Sequence, residues 1–335
     1  MEGLDRGSVH FQKTPMNEPL ISAIIISPDG FQGVRRLVEC LRIQDEARVV
    51  ELVFVFPRGC DTAVPDQIAE SFAGCRLVEI DEMDSTARVR AAGVHAAGAP
   101  LVLMTEEHSL PEPGAIKAFL EAHRENRAVV GPAIVNGNPD SLMSWANLVI
   151  EYGEWLDPTP GAPARHLPGH NSCYRRDVLL SYGSELDKWL EAESVLHWDL
   201  LRRGYALWLE PKAKTRHHNF SLSGASLRLR YLAGRHFAGM CRLRWPRAKS
   251  LLYAAASPLI PLVRLGRIIR QLARPGRPRH LLPALVPLCL ALLAVETAGA
   301  AVGYLFGAGD SSTKITGIDF HRIRYMKESE RWRLT

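Results

Sequence analysis

Thr105-Glu106-Glu107-His108 places two adjacent carboxylates and an imidazole directly after the apolar run Pro100–Met104. Like charges at the end of a buried strand repel unless a cation sits beside them, and a divalent metal bridging a diphosphate is such a cation. An exposed loop with two solvated glutamates accounts for the same residues equally well. A second carboxylate pair, Glu191 and Glu193, stands within 185–204, where Leu186, Leu190, Leu196, Leu200 and Leu201 form an apolar helical face ending at Gly204. Negative charge suits a helix N-terminus, so capping alone explains that pair. Gly169-His170-Asn171-Ser172 offers backbone amides and a side-chain amide suited to ligand hydroxyls, or forms an ordinary turn. His217 and His218 follow a short apolar run, and Trp145, Trp155 and Trp189 fit either stacking on a ligand or a core.

The elements that must position these groups alternate. Ser22–Ser27, Val49–Phe56, Cys75–Ile80 and Pro100–Met104 read as buried strands, and Val129–Val135 as a later one. Between them, Val34–Ile43, Gln67–Phe72 and Thr86–Ala97 read as helices. Strands and helices in alternation imply right-handed crossovers and a mainly parallel α/β sheet, whose ligands sit at the carboxyl ends of the strands. Glu106 and Glu107 lie at such an end. Farther on, Asp140–Trp155 reads as an aromatic-rich helix and Ala206–Leu209 as a strand ending before Pro211.

The 335 residues suffice for one large domain with an appendage, and the formal net charge is +5. The positive excess gathers after Arg216, which suits phosphate or an anionic membrane surface, or a solvated basic face. Nucleic acid is not among the expected partners, and a homo-oligomer is left open. Six scattered cysteines without metal spacing read as free thiols, and the polar segment 1–19 reads as a disordered lead-in without a secretory signal. Together these place the chain in the cytoplasm.

The order of these motifs resembles the family 2 glycosyltransferases, enzymes of GT-A fold that use nucleotide-sugar donors. Arg90-Ala-Ala-Gly93 resembles the family's arginine helix, and Thr105–His108 occupies the place of its acidic metal motif. Counting back from Gly204, Ala192-Glu193 takes the place of its Glu-Asp pair, and Pro211-Lys-Ala-Lys-Thr-Arg-His217-His218 resembles a late P-x-A-x-x-x-H segment. The resemblance implies an inverting transfer of a sugar to a lipid-linked or cell-surface polysaccharide acceptor. It implies Glu193, with Glu191 as substitute, as the base whose pKa desolvation raises. It further implies Ser27, Asp29, Arg90 and Glu106 at the donor, and Gly169, His170 and Asn171 at the acceptor. Glu107, His108 and His217 are implied as ligands of Mn2+ or Mg2+. Cys241-Arg-Leu-Arg-Trp245 resembles the Q-x-x-R-W segment of processive synthases without its glutamine, which adds Trp245 at the acceptor.

Both acidic motifs are altered, Glu-Glu for an aspartate motif and Ala-Glu for Glu-Asp, and no acidic residue directly follows the second strand. A catalytically silent GT-A protein that binds glycan or nucleotide sugar as a membrane scaffold is therefore the alternative. A nucleotidyltransferase is a weaker one, lacking its usual Gly-rich phosphate loop.

The expected organisation is a GT-A domain over 20–245, then an interfacial amphipathic helix with a basic linker over 246–280. Segment 281–307 follows as a transmembrane or re-entrant helix, and 308–335 as a polar tail. Leu281–Gly307 contains a single ionisable residue, Glu296, and is long enough to cross a bilayer. Gly299, Gly303 and Gly307 recur at four-residue spacing, which lets another helix approach closely. The expected location is the cytoplasmic face of a cell membrane.

Overall fold

The computed structural model describes residues 9–13 and 18–334. Ten strands form one sheet: β1 (Val9–Lys13), β2 (Ile21–Ile26), β3 (Val50–Pro57), β4 (Gly74–Ile80), β5 (Leu101–Met104), β6 (Ser109–Pro111), β7 (Val129–Asn136), β8 (Ala162–Pro163), β9 (Cys173–Arg175) and β10 (Leu207–His217). Their order is β1-β4-β3-β2-β5-β9-β7-β10-β6, with β8 beside β10. β4, β3, β2 and β5 are mutually parallel, and β9 joins β5 and β7 antiparallel. This is the GT-A architecture, a mainly parallel sheet between helices.

Continuous burial along β2 and almost all of β3 explains why their sequences are apolar apart from Ser22 and Glu51, since helices cover both faces of such strands. The helix Thr86–Ala96 lies so close to the sheet that a Cβ at Gly93 would stand 2.5 Å from Ile24 Cγ2. Glu51, fully buried in β3, accepts from Ser22 Oγ at 2.5 Å and from the Gly98 amide at 2.7 Å, and pairs with Arg76. A buried carboxylate is tolerated when it is paired and hydrogen-bonded in this way.

Three local expectations change. The continuous helix read over 185–204 is broken: Leu186–Leu190 and Glu193–Arg202 are separate helices, and Ala192 between them is extended. β10 runs on past Pro211 to His217, because alternate residues from Leu207 through Ala213 and Thr215 to His217 face inward. Val9–Lys13, within the expected disordered lead-in, is an edge strand antiparallel to β4, as its alternating pattern suits; residues 1–8 and 14–17 of that lead-in lie outside the described residues.

The chain divides into two compact units, one built on the sheet and one helical. The helical unit comprises residues 135–158 and 217–333, so it includes the helix Leu142–Tyr152. That unit also contains Ser223–Arg244, Arg247–Ala256, Ile260–Leu272 and Leu282–Phe306. Two stretches in it, Arg247–Leu272 and Arg279–Phe306, are long and apolar enough to cross a membrane. Gly299 and Gly303 meet the backbone of Tyr231 and Arg235 on Ser223–Arg244, the close approach that their spacing predicts.

Candidate active site

β5 delivers the acidic motif to the carboxyl end of the parallel strands. Thr105 Oγ1 donates to Ile24 O at 2.6 Å and pins the loop to β2, while Ser109 N donates to Glu106 O at 3.0 Å and turns it back into β6. Opposite stands the helix Thr86–Ala96, whose N-cap Ser85 accepts from Arg88 N at 3.2 Å and donates to Glu191 Oε1 at 2.8 Å. Glu191 is thus tied to a helix cap. Glu193 is the first residue of its own helix and projects from the break at Ala192.

Arg90 joins the two acidic motifs. The side chain is 4% exposed; Nη2 donates to Glu106 Oε1 and Nη1 to Glu193 Oε1, each at 3.2 Å. His170 Nδ1 lies 2.5 Å from Glu193 Oε1 and 2.8 Å from Arg90 Nη1. Asn171 Nδ2 reaches Glu106 Oε2 at 3.5 Å. Glu193, Arg90, Glu106, His170 and Asn171 therefore form one polar cluster, buried at Arg90, Glu106 and Asn171 and part-exposed at His170.

Its electrostatics differ from expectation at Glu193. Burial pushes that carboxyl up, but His170 and Arg90 outweigh burial and bring it down to about 2, the reverse of a pKa raised by desolvation. Burial likewise works against ionised Glu106, and His108, His170 and Arg90 hold it well below the usual carboxylate range. For His170, burial favours the neutral ring, yet Glu193 and Glu106 raise its pKa above 6.5.

Gly169 sits beneath this cluster, and a Cβ there would collide with Cβ and Cγ of Glu193. Its carbonyl accepts from Tyr174 Oη at 3.3 Å. Leu167 N donates to His197 Nδ1 at 3.3 Å, so the ring proton resides on Nε2 and is directed to Tyr174 Oη at 2.9 Å. His197 is held neutral: burial lowers its pKa to about 3. Sequence reasoning missed Tyr174 and His197. The available signal was a tyrosine just past the Gly-His-Asn turn and a histidine one turn beyond Glu193.

On the sheet unit, Glu106 and His108 could offer a cation one carboxylate oxygen and one imidazole nitrogen, while His217, the last residue of β10, falls in the helical unit. Glu107, expected as a ligand, is turned to the other side of the His108 ring. Its Oε1 meets His108 Nδ1 at 3.1 Å, which turns Nε2 of that ring toward Glu106 Oε2 at 3.3 Å. His217 Nδ1 is held by Asn219 Oδ1 at 2.8 Å. A carboxylate beside an imidazole fits Mn2+ better than Mg2+, which favours oxygen ligands alone.

The remaining predicted residues have other partners. Ser27 ends β2 buried and accepts from the amide of exposed Asp29 at 3.2 Å. Trp155 packs on Tyr152 and Trp189 on Tyr182, as core residues do, and Trp145 Nε1 donates to Pro139 O. His218 is buried, not on an exposed loop. Trp245 belongs to the helical unit, where it stacks with Tyr304 and meets Tyr253 with ring centroids 4.9 Å apart.

No protein-family model matches the sequence, and no curated protein matches it. In structure, the chain is similar to the mannosyltransferase PcManGT of Pyrobaculum calidifontis, solved with GDP-mannose and Mn2+. The TM-score is 0.56 at 16% identity, over 89% of this chain and 90% of that one. Residues 1–349 of TarS from S. aureus align at a TM-score of 0.42 and 14% identity, over 84% and 89% of the two chains. The TarS structure holding UDP aligns at 0.41 and 14%, over 85% and 91%. The fold is that of the GT-A glycosyltransferases.

Proposed function

We propose that the protein is a metal-dependent, inverting glycosyltransferase of the family 2 type. It takes a sugar from a nucleoside-diphosphate donor and passes it to a lipid-linked or surface-polysaccharide acceptor. The observation that carries this reading is Arg90, whose single guanidinium holds Glu106 of the strand-end motif and Glu193 of the helix start. The likeness to a mannosyltransferase fold solved with a nucleotide sugar and Mn2+ supports it.

A cation at Glu106 and His108 would neutralise charge growing on the leaving diphosphate. The chain's own residues supply the rest. Arg90 lies where a diphosphate competes for its hydrogen bonds, and each bond withdrawn from Glu193 strengthens that carboxylate as a base. Glu193 then removes the proton of the attacking hydroxyl, with His170 and Asn171 positioned to hold the acceptor. With one base and no second carboxylate placed as a nucleophile, the reading favours a single inverting displacement. The apolar C-terminal helices bring this chemistry to the cytoplasmic face of a membrane.

Calorimetric titration with a panel of nucleoside diphosphates, with and without Mn2+, tests the reading. Metal-dependent binding that Glu106→Ala abolishes is the expected result; no binding by the folded wild type overturns it. A second reading, a silent scaffold, draws on the engagement of Glu193 by Arg90 and His170 in the free protein. Donor binding without transfer to any acceptor, unchanged in Glu193→Gln, would favour the scaffold.

A further inference from the structure

The helix Leu282–Phe306 is apolar on all sides, but its two faces have different surroundings. Leu285, Cys289, Leu292, Leu293 and Gly303 are buried, whereas Ala284, Leu290, Ala294, Ala298, Leu305 and Phe306 are exposed. A helix facing water carries polar residues on its outer side, and an extended bare apolar stripe marks a partner or a membrane. The neighbouring stretch Arg247–Leu272 continues the feature, with Leu251, Leu252, Leu259, Leu262, Val263 and Ile269 exposed. Arg247, Lys249, Arg267, Arg270 and Arg274 are exposed beside these residues. Trp245, Tyr253 and Tyr304 form an aromatic cluster with Lys249 Nζ 3.8 Å above the Trp245 ring, the composition found at the level of lipid headgroups.

Two observations oppose a crossing. Both flanks of Leu282–Phe306 are tied to the same helical unit. Before it, Arg277 donates to the carbonyls of Gly153, Leu156 and Pro158; after it, Ser221 N donates to Tyr325 O, Lys327 N to Ser221 Oγ, and Asn138 Nδ2 to Glu330 Oε2. A helix that crosses a bilayer instead holds its flanks on opposite sides of a core about 30 Å thick. The second is the partner helix Ser223–Arg244, in backbone contact at Gly234, Gly299 and Gly303, which carries Arg228, Arg235, Arg242 and Arg244 and would have to enter the hydrocarbon too. Glu296, the one carboxylate of the apolar helix, is already paired with Arg230 and Arg264 inside the unit.

The geometry points to in-plane seating: Arg247–Leu272 and Leu282–Phe306 sink their exposed apolar sides into one anionic leaflet, and neither crosses it. The alternation of apolar stripe and exposed arginine commits the occupant to acidic phospholipid, because the cations at the rim complement its headgroups. This deepens the membrane-association part of the proposed function and rests on that part alone, with no dependence on sugar transfer.

The test uses the full chain and two readouts. In flotation with vesicles, binding to phosphatidylcholine mixed with phosphatidylglycerol is expected. It should fall about tenfold with phosphatidylcholine alone or at high salt, and about tenfold with Leu259→Glu or Leu262→Glu. Ile43→Glu, an exposed apolar position on the sheet unit, serves as the control and keeps full binding. In sealed membranes, tags at the two chain ends and in the linker between the two apolar stretches are expected to be digested by protease on the same face. Tags digested on opposite faces would overturn in-plane seating while leaving membrane association intact. A folded protein that ignores both vesicle types and sediments as a discrete dimer would overturn both, with a second copy covering the face.

Discussion

His170 Nδ1 stands 2.5 Å from Glu193 Oε1, and this contact sets opposite titration behaviour in its two partners. The Glu193 carboxyl, at about 2, lies below its ordinary 4.5, so its contribution to stability is complete above 4.5 and is lost as pH falls toward 2. His170 is raised above 6.5, so its contribution is complete below 6.5 and is lost as pH rises through the raised value. The pair stabilises the fold most between 4.5 and 6.5. Thermal unfolding against pH should show wild type losing its advantage over His170→Gln on both sides of that window. A constant difference across the range would remove the ion pair from the account.

Removing Arg90 leaves Glu106 and Glu193 without their shared cation in a buried cluster. Arg90→Met should cost about 3–5 kcal/mol in denaturant unfolding, the usual penalty for deleting one partner of a buried pair. Adding Glu193→Gln should recover part of the loss, since one of the stranded charges is then gone. Equal stability of the single and double variants would show that Arg90 acts by packing.

Cation binding should separate two adjacent carboxylates. Glu106→Gln removes the carboxylate that faces the His108 ring, and Mn2+ affinity should fall by roughly a hundredfold or more. Glu107→Gln loosens only the orientation of the His108 ring and should cost about tenfold. Electron paramagnetic resonance of free Mn2+ gives both numbers directly. A larger loss in Glu107→Gln would restore the ligand assignment that the sequence suggests.

Tyr174→Phe deletes the hydroxyl that links His197 to the Gly169 carbonyl and leaves the His197 N–H buried without that acceptor. Stability should fall by about 1–3 kcal/mol. Transfer should fall further than donor affinity, because the Gly169–Asn171 turn carries His170 to Glu193. An unchanged rate with lower stability would limit Tyr174 to a structural part.

The sheet was legible because β2 and β3 are apolar apart from Ser22 and Glu51, and one-dimensional patterns report burial on both faces well. Arg90, His170 and Glu193 were legible through motif order, although nothing in that order fixed which nitrogen meets which oxygen. That Glu106, not Glu107, stands beside Arg90 and Asn171 depends on a tight turn, Glu106 against Ser109, that composition does not encode. Proline at 211 suggested a strand end. The period-two pattern from Leu207 to His217, with Glu210, Lys212, Lys214 and Arg216 between the inward residues, was the stronger signal. Tyr174 acts through His197, 23 residues away in sequence, which no local pattern reveals.

Ala192 has the side chain most favourable to a helix, yet its backbone is extended, so the break before Glu193 is imposed against local preference. Were that residue to relax into the helical state, Leu186–Leu190 and Glu193–Arg202 would fuse into one rod. Each residue in such a rod advances about 100° around the axis, and Glu193 would swing away from Arg90 and His170. The chain thus contains a site that can be dismantled by a change of two torsions at a methyl-bearing residue, with every charged group still in the sequence. Frustration at one alanine is the condition on which the cluster depends.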